Sequence, residues 1–270
     1  MIASQAIEFR EAVRLKVARY LSGDLAIATT SNVKILKNVE VGYKTIGVNF
    51  APAESSVPYG GFNTCQGSTP GCRGGCLRFA GHNVSGMAGI ARIARTVAYN
   101  VDPWSFMRLL KSEIKRFEAR EKKKGFKVSY RGNLLSDLVW LSMEIAQEFP
   151  GIQCVDYTKR IGTVERMIPV HVPANMSWGL SLSESNFADW HRCLVAGKFW
   201  GAVVFDVAKG QPLPESFAGL PCIDGDVHDA RWLTPKGTIA ALRIKGTKKA
   251  KAIARKSGFA IDPGDPRCNV

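Results

Sequence analysis

Residues 127–160, "KVSYRGNLLSDLVWLSMEIAQEFPGIQCVDYTKR", decide the fold. "KVSYR" (127–131) reads as a strand, because β-branched and aromatic residues alternate with polar ones. Ser136 is placed to cap a helix whose apolar face is Leu138, Leu141, Ile145 and Phe149, and Pro150 stops it. "IQCVDY" (152–157) then reads as a second strand. Strand, helix and strand in so short a span form a βαβ unit, which makes the two strands parallel neighbours.

Downstream, the same rhythm continues. A short helix spans about Val164 to Met167, "SWGLSLS" (177–183) is a strand, a helix covers Asn186 to Ala196, and "FWGAVVFDV" (199–207) is a strongly apolar strand. Upstream, a helix over Ser4 to about Leu21 ends at Gly23, and "VKILKNVEVGYKTIGVNFAP" (33–52) reads as strands. Met87, Ile90, Ala91, Ala94, Val97 and Ala98 recur at helical spacing, with Arg92 and Arg95 off that face. A further helix starts at Asp102-Pro103, an N-cap followed by proline at the first helical position, and runs to Gly125. The expected fold is α/β, a TIM-barrel-like or partial (β/α) barrel of parallel strands preceded by an N-terminal helix. One domain is expected over 1–270: an N-terminal extension to about residue 45, a Cys/Gly-rich loop at 62–83, the βα series at 127–245 and a basic segment at 245–270.

In parallel α/β folds ligands sit beyond the carboxyl ends of the strands. The polar residues at those ends are Arg131 and Asn133, then Asp156, Tyr157, Thr158 and Lys159, then Ser183, Glu184 and Ser185, then Asp206. Ser136, Ser185 and Asn186 are cap-type residues, so Arg131, Asn133, Asp156 and Lys159 remain as the cleft candidates.

Between the helices lies "CQGSTPGCRGGC" (65–76), with three of the chain's seven cysteines spaced C-x6-C-x3-C among glycines and a proline. Thiolates are soft ligands suited to zinc or to iron-sulfur clusters. Structural zinc sites pair their ligands near C-x2-C, a pair missing here. A [4Fe-4S] cluster held by Cys65, Cys72 and Cys76 therefore fits better, with the glycines letting backbone N–H groups turn toward its sulfides. Its fourth ligand would be Cys222, Cys268, His82 or an exogenous molecule. Cys154 lies in a strand and Cys193 in a helix, where an unbonded cysteine packs as a small apolar residue. "CIDGDVHDARW" (222–232) gathers Asp224, Asp226, His228 and Asp229, which suit a hard cation or pairing with Arg231, although its Asp-Gly-Asp core reads as a turn.

The chain has 270 residues, 46% hydrophobic and 22% charged, and a formal charge of +14. That charge attracts polyanions, but much of it sits in "REKKKGFK" (120–127) and "KGTKKAKAIARK" (245–256), runs with few aromatics to stack on bases. Any nucleic-acid affinity is expected to be nonspecific. An odd cysteine count and no apolar run long enough to span a bilayer point to a reducing, cytoplasmic setting and no membrane association.

The stretches "NTCQGSTPGCRGGCL" (63–77), "ARIART" (91–96), "RGNLLSDLVW" (131–140), "DYTK" (156–159) and "DGDVHDARW" (224–232) together resemble a family of phage and prophage proteins without assigned function. That resemblance covers about residues 25 to 260 and implies the cytoplasm of a bacterial host. The cysteine loop ahead of a βα series also resembles radical S-adenosylmethionine enzymes, which hold a [4Fe-4S] cluster on three cysteines at the mouth of a full or partial barrel. Their usual spacing is C-x3-C-x2-C, from which this loop departs. This second resemblance implies a cluster and, as a second ligand, S-adenosylmethionine. The contrasting expectation is a zinc-stabilised, basic nucleic-acid-binding protein without catalysis.

Overall fold

The structure, a computed structural model, describes residues 3–270. Helix α1 (Ala3–Ser22) and the one-turn α2 (Val33–Leu36) precede strand β1 (Tyr43–Gly47). The cysteine loop carries a short α3 (Pro70–Gly74), followed by α4 (Gly86–Val101) and α5 (Pro103–Lys123). The βα series is β2 (Lys127–Arg131), α6 (Val139–Glu148), β3 (Gln153–Thr158), α7 (Ile161–His171), β4 (Met176–Ser181), α8 (Phe187–Val195) and β5 (Trp200–Phe205). The chain then adds β6 (Ser216–Phe217), β7 (Leu220–Asp224), β8 (Ile239–Arg243), α9 (Lys248–Lys256) and β9 (Ala260–Ile261).

All the strands join one nine-stranded sheet in the order β1-β2-β3-β4-β5-β8-β7-β6, with β9 on β5. Every pairing is parallel except the β6–β7 hairpin. The sheet does not close, which corrects the barrel expectation. The end strands β1 and β6 do not pair, and the stretch 225–234 packs against α2, its following turn and β1. There the Asp229 N–H donates to Asn38 Oδ1 at 2.8 Å, the Lys37 ammonium donates to the Asp226 carbonyl, and the Tyr43 and Trp232 rings pack with centroids 4.7 Å apart.

Strand alternation gives the sheet two distinct faces. Tyr130, Cys154, Leu180, Val203 and Ala241 point toward the helices and merge with Phe106, Leu110, Ile114, Leu141 and Ile145 into the main core. Val155, Trp200, Ala202 and Ala240 point the other way and pack with Tyr157, Trp232 and Leu242. Burial on both faces is what a parallel sheet requires. Cys154 and Cys193 are both fully buried in the main core, the packing role expected of them.

Strand β5 is shared. Along one side it pairs with β8 over its length; along the other, Trp200–Ala202 pair with β4 and Val204–Phe205 with β9. Past Leu182, whose N–H donates to the Ala202 carbonyl at 2.9 Å, β9 takes the place of β4 beside β5.

Asp102 caps α5 by accepting from the Ser105 N–H at 3.0 Å, and Phe106, Leu110, Ile114 and Phe117 bury its apolar stripe. Three local expectations fail. Residues 33–41 are α2 and a 3-10 turn rather than strands, because Asn32 accepts from the Lys34 N–H and Gly42, at φ +81°, ends the turn. Ser136 does not cap α6, whose first residue is Val139; its hydroxyl donates to Asn133 Oδ1 instead. On α4, Met87 is 77% exposed while Arg92 is buried, its guanidinium donating to the Asn83 carbonyl at 2.9 Å.

Candidate metal and ligand site

A cavity of about 190 Å³ opens at the carboxyl ends of β2 to β5 and β8, under the cysteine loop. Cys65, Cys72 and Cys76 all line it, together with Arg131, Asn133, Tyr157, Lys159 and Lys34. Asp156 does not. Arg131 is the register partner of Val155, so the next residue of β3 faces the helices, and it is Tyr157 that reaches the cavity.

The cysteine loop is tied to the end of each neighbouring strand. After β2, the Asp137 N–H donates to the Thr64 carbonyl at 2.8 Å, and Cys65 Sγ lies 3.6 Å from the Leu135 carbonyl. After β4, Glu184 accepts from the Thr69 hydroxyl and from the Gly71 N–H, each at 2.7 Å. Thr69 in turn caps α3 by accepting from the Cys72 N–H. Three glycines of the loop permit close helix packing. A Cβ on Gly74 would stand 2.2 Å from Ile253 Cγ2, one on Gly75 2.9 Å from Ala254 Cβ, and one on Gly71 2.3 Å from Ser257 Oγ. The absence of side chains lets α3 lie directly on α9.

Burial pushes the Cys65 thiol up to about 11 and raises that of Cys76 as well. Both are therefore neutral thiols at pH 7. Lys159 neighbours Cys72 and Cys65 and lies over the Phe259 ring, 5.5 Å from its centroid. Among the described residues no three His, Cys, Asp or Glu side chains are drawn to the coordination sphere of one ion. Cys65, Cys72 and Cys76 share one cavity wall without converging on a single point. Cys222 and Cys268 lie elsewhere: Cys222 is in register with Ile239, at the amino end of β8, and Cys268 bridges Phe217. His82 does not line the cavity either.

Below the thiols is a buried polar network. Arg131 pairs with Asp229, and the Asp229 carboxylate accepts from the Tyr157 hydroxyl at 3.3 Å. Burial opposes both charges of the pair, yet Arg131 holds Asp229 below the usual carboxylate range and Asp229 raises Arg131. The Arg131 guanidinium lies 4.6 Å from the centroid of Tyr157, whose ring is edge-on to Trp200 at 4.8 Å. On the helix side, Asp156 accepts from Asn133 Nδ2 at 2.6 Å, from the Ser142 hydroxyl and from the Tyr157 N–H. That carboxyl fixes the loop 132–138, which lines the cavity.

The acidic stretch 222–232 holds no cation site of its own. Asp224 and Asp226 pair with Arg243, Asp226 also pairs with Lys245, and Gly225–Asp226 form the turn. Asp229 is the member that reaches the network. Lys34 and Asp229 are the site residues that spacing alone misses, since neither follows a strand of the βα series.

Residues 26–263 match the family described as Gene product 88. No curated protein and no solved structure matches the chain.

Proposed function

Taking as premise that the chain belongs to the gene product 88 family, a family of phage-type gene products, we propose that it binds a [4Fe-4S] cluster through Cys65, Cys72 and Cys76 above a small-molecule cleft. One observation carries this reading. Of seven cysteines, the three clustered in sequence are also the three that line one cavity, at the end of a parallel sheet where ligands bind.

When bound, such a cluster supplies one-electron transfer and, where one iron lacks a protein thiolate, a Lewis-acid position. With Cys222, Cys268 and His82 outside the cavity, that position falls to an exogenous small molecule. S-adenosylmethionine is the candidate that the radical-enzyme resemblance adds. The chain's own contribution is to neutralise and position: Lys159 offsets the negative charge of ligating thiolates, and the α3–α9 contact holds the loop in place.

Anaerobic purification followed by iron, sulfide and zinc analysis tests the proposal. The protein should be brown, with broad absorption at about 400 nm. Cys65→Ala, Cys72→Ala and Cys76→Ala should each lose most of the iron, whereas Cys154→Ala and Cys193→Ala should keep it. A Cys72→Ala protein with full iron and sulfide would overturn the assignment. A colourless zinc protein would replace it with the structural-zinc reading.

A further inference from the structure

We propose that the floor of the cavity is an oxyanion site, in which Lys34 and the free Nε edge of Arg131 take the carboxylate or phosphate group of a small molecule. This goes beyond the cluster assignment and does not depend on it.

Arg131 is 4% exposed. Its Nη1 is committed to Asp229, but its Nε has no hydrogen-bond partner among the described residues. A buried charged N–H without an acceptor is costly, so a built site normally supplies one. The Tyr157 ring packs against the guanidinium, 4.6 Å from its centroid, and restricts its movement. A planar fork held in this way matches the two oxygens of a carboxylate or phosphate.

Lys34 supplies the second contact. It lines the same cavity from α2 and has no ion-pair partner among the described residues. Burial and the nearby Arg131 lower its pKa to about 8, with Lys245 adding to the repulsion and Asp229 and Asp226 opposing it. Two like charges facing one cavity repel each other, and an anion between them turns both interactions favourable. Of the other cations in the lining, Arg243 and Lys245 are paired with Asp224 and Asp226, while Lys159 has no ion-pair partner among the described residues, and Asp137 is the one carboxylate of the lining. The size of the cavity, about 190 Å³, suits a small molecule rather than a polymer.

Calorimetric titration of the anaerobically purified protein with sodium phosphate and, separately, with sodium malonate at fixed ionic strength tests the site. Saturable binding of at least one probe is expected. Phosphate alone binding would identify a phosphoryl ligand, and malonate alone a carboxylate. Lys34→Met should weaken the binding by about ten-fold or more, while Lys34→Arg keeps it within a few-fold. Because Lys34 is held against repulsion, Lys34→Met should leave the Tm unchanged or raise it, whereas a merely structural lysine would lower it. Arg131→Lys, which keeps the charge and removes the fork, should weaken binding similarly wherever circular dichroism shows it folded. No saturable binding by the folded wild-type protein, or binding indifferent to Lys34→Met, overturns the site; the second result means an adventitious ion only. Iron content is measured on the same variants. A failed cluster assignment, read from Cys72→Ala, leaves this outcome untouched.

Discussion

Asp156 holds its proton into the neutral range, since burial between β3 and α6 pushes its pKa up to about 7 despite the donors Ser142 and Asn133. In the unfolded chain it returns to the ordinary value of 3.8. The native state thus binds this proton more tightly. The stabilisation is fully present below about pH 4 and is lost as the pH rises through about 7. Side-chain carboxyl NMR should show a midpoint near neutrality, with the Tm declining across that window; a midpoint in the ordinary carboxylate range would contradict it. Asp229 is the opposite case, an ionised partner for a buried arginine. Asp229→Ala leaves Arg131 uncompensated beside Lys34 and should cost about 3–5 kcal/mol in urea unfolding. A loss under about 1 kcal/mol would show that water already screens the pair.

The glycine-lined face of α3 makes the strongest demand among the elements. Gly74→Val puts branched carbons where Ile253 already stands, and overpacking of this kind costs about 1–3 kcal/mol. Adding Ile253→Ala should recover part of the loss, and a double-mutant cycle with no coupling would mean that the two helices do not touch there. This contact also shows what local pattern can and cannot reveal. Strands β2 to β5 and helix α5 were legible because each has its own period and stop signals, such as Asp102-Pro103. The segment 33–41 was not: Val33, Ile35, Val39 and Val41 look like a strand, yet the Asn32 cap and Gly42 decide for helical turns. Strands β6 and β9 are two residues each, too short to carry a period. At the site, Arg131, Asn133 and Lys159 follow from strand ends and the cysteines from their C-x6-C-x3-C spacing. Asp156 was misplaced because one step along β3 turns a side chain to the other face. Lys34 and Asp229 arrive through contacts that no local spacing encodes.

For the molecule as a whole, with a net charge of +14, the basic runs carry fewer unpaired charges than their sequence suggests. In the run from Arg120, Arg120 and Lys124 pair with Glu121, and Lys122 pairs with Glu118. In the run from Lys245, α9 buries Ala250 and Ala254 against the cysteine loop and turns its lysines outward. Binding to mixed-sequence DNA should therefore be weak, lack sequence preference and fall steeply with salt. Substituting Lys248, Lys249 and Lys251 together by Gln should flatten that salt slope by about two to three, in proportion to the charges removed. A salt-insensitive, sequence-selective complex would contradict this. No helix among the described residues is long and apolar enough to cross a membrane.

The α3–α9 contact has a further consequence, for the order of events during synthesis. Gly74 meets Ile253, so the cysteine loop leaves the ribosome long before the helix that clamps it. Closing so long a stretch of chain is slow compared with forming the local βα units between them. Until α9 emerges, nothing holds the glycine face of α3, so the wall that carries the three thiols is completed only when the last helix docks on it.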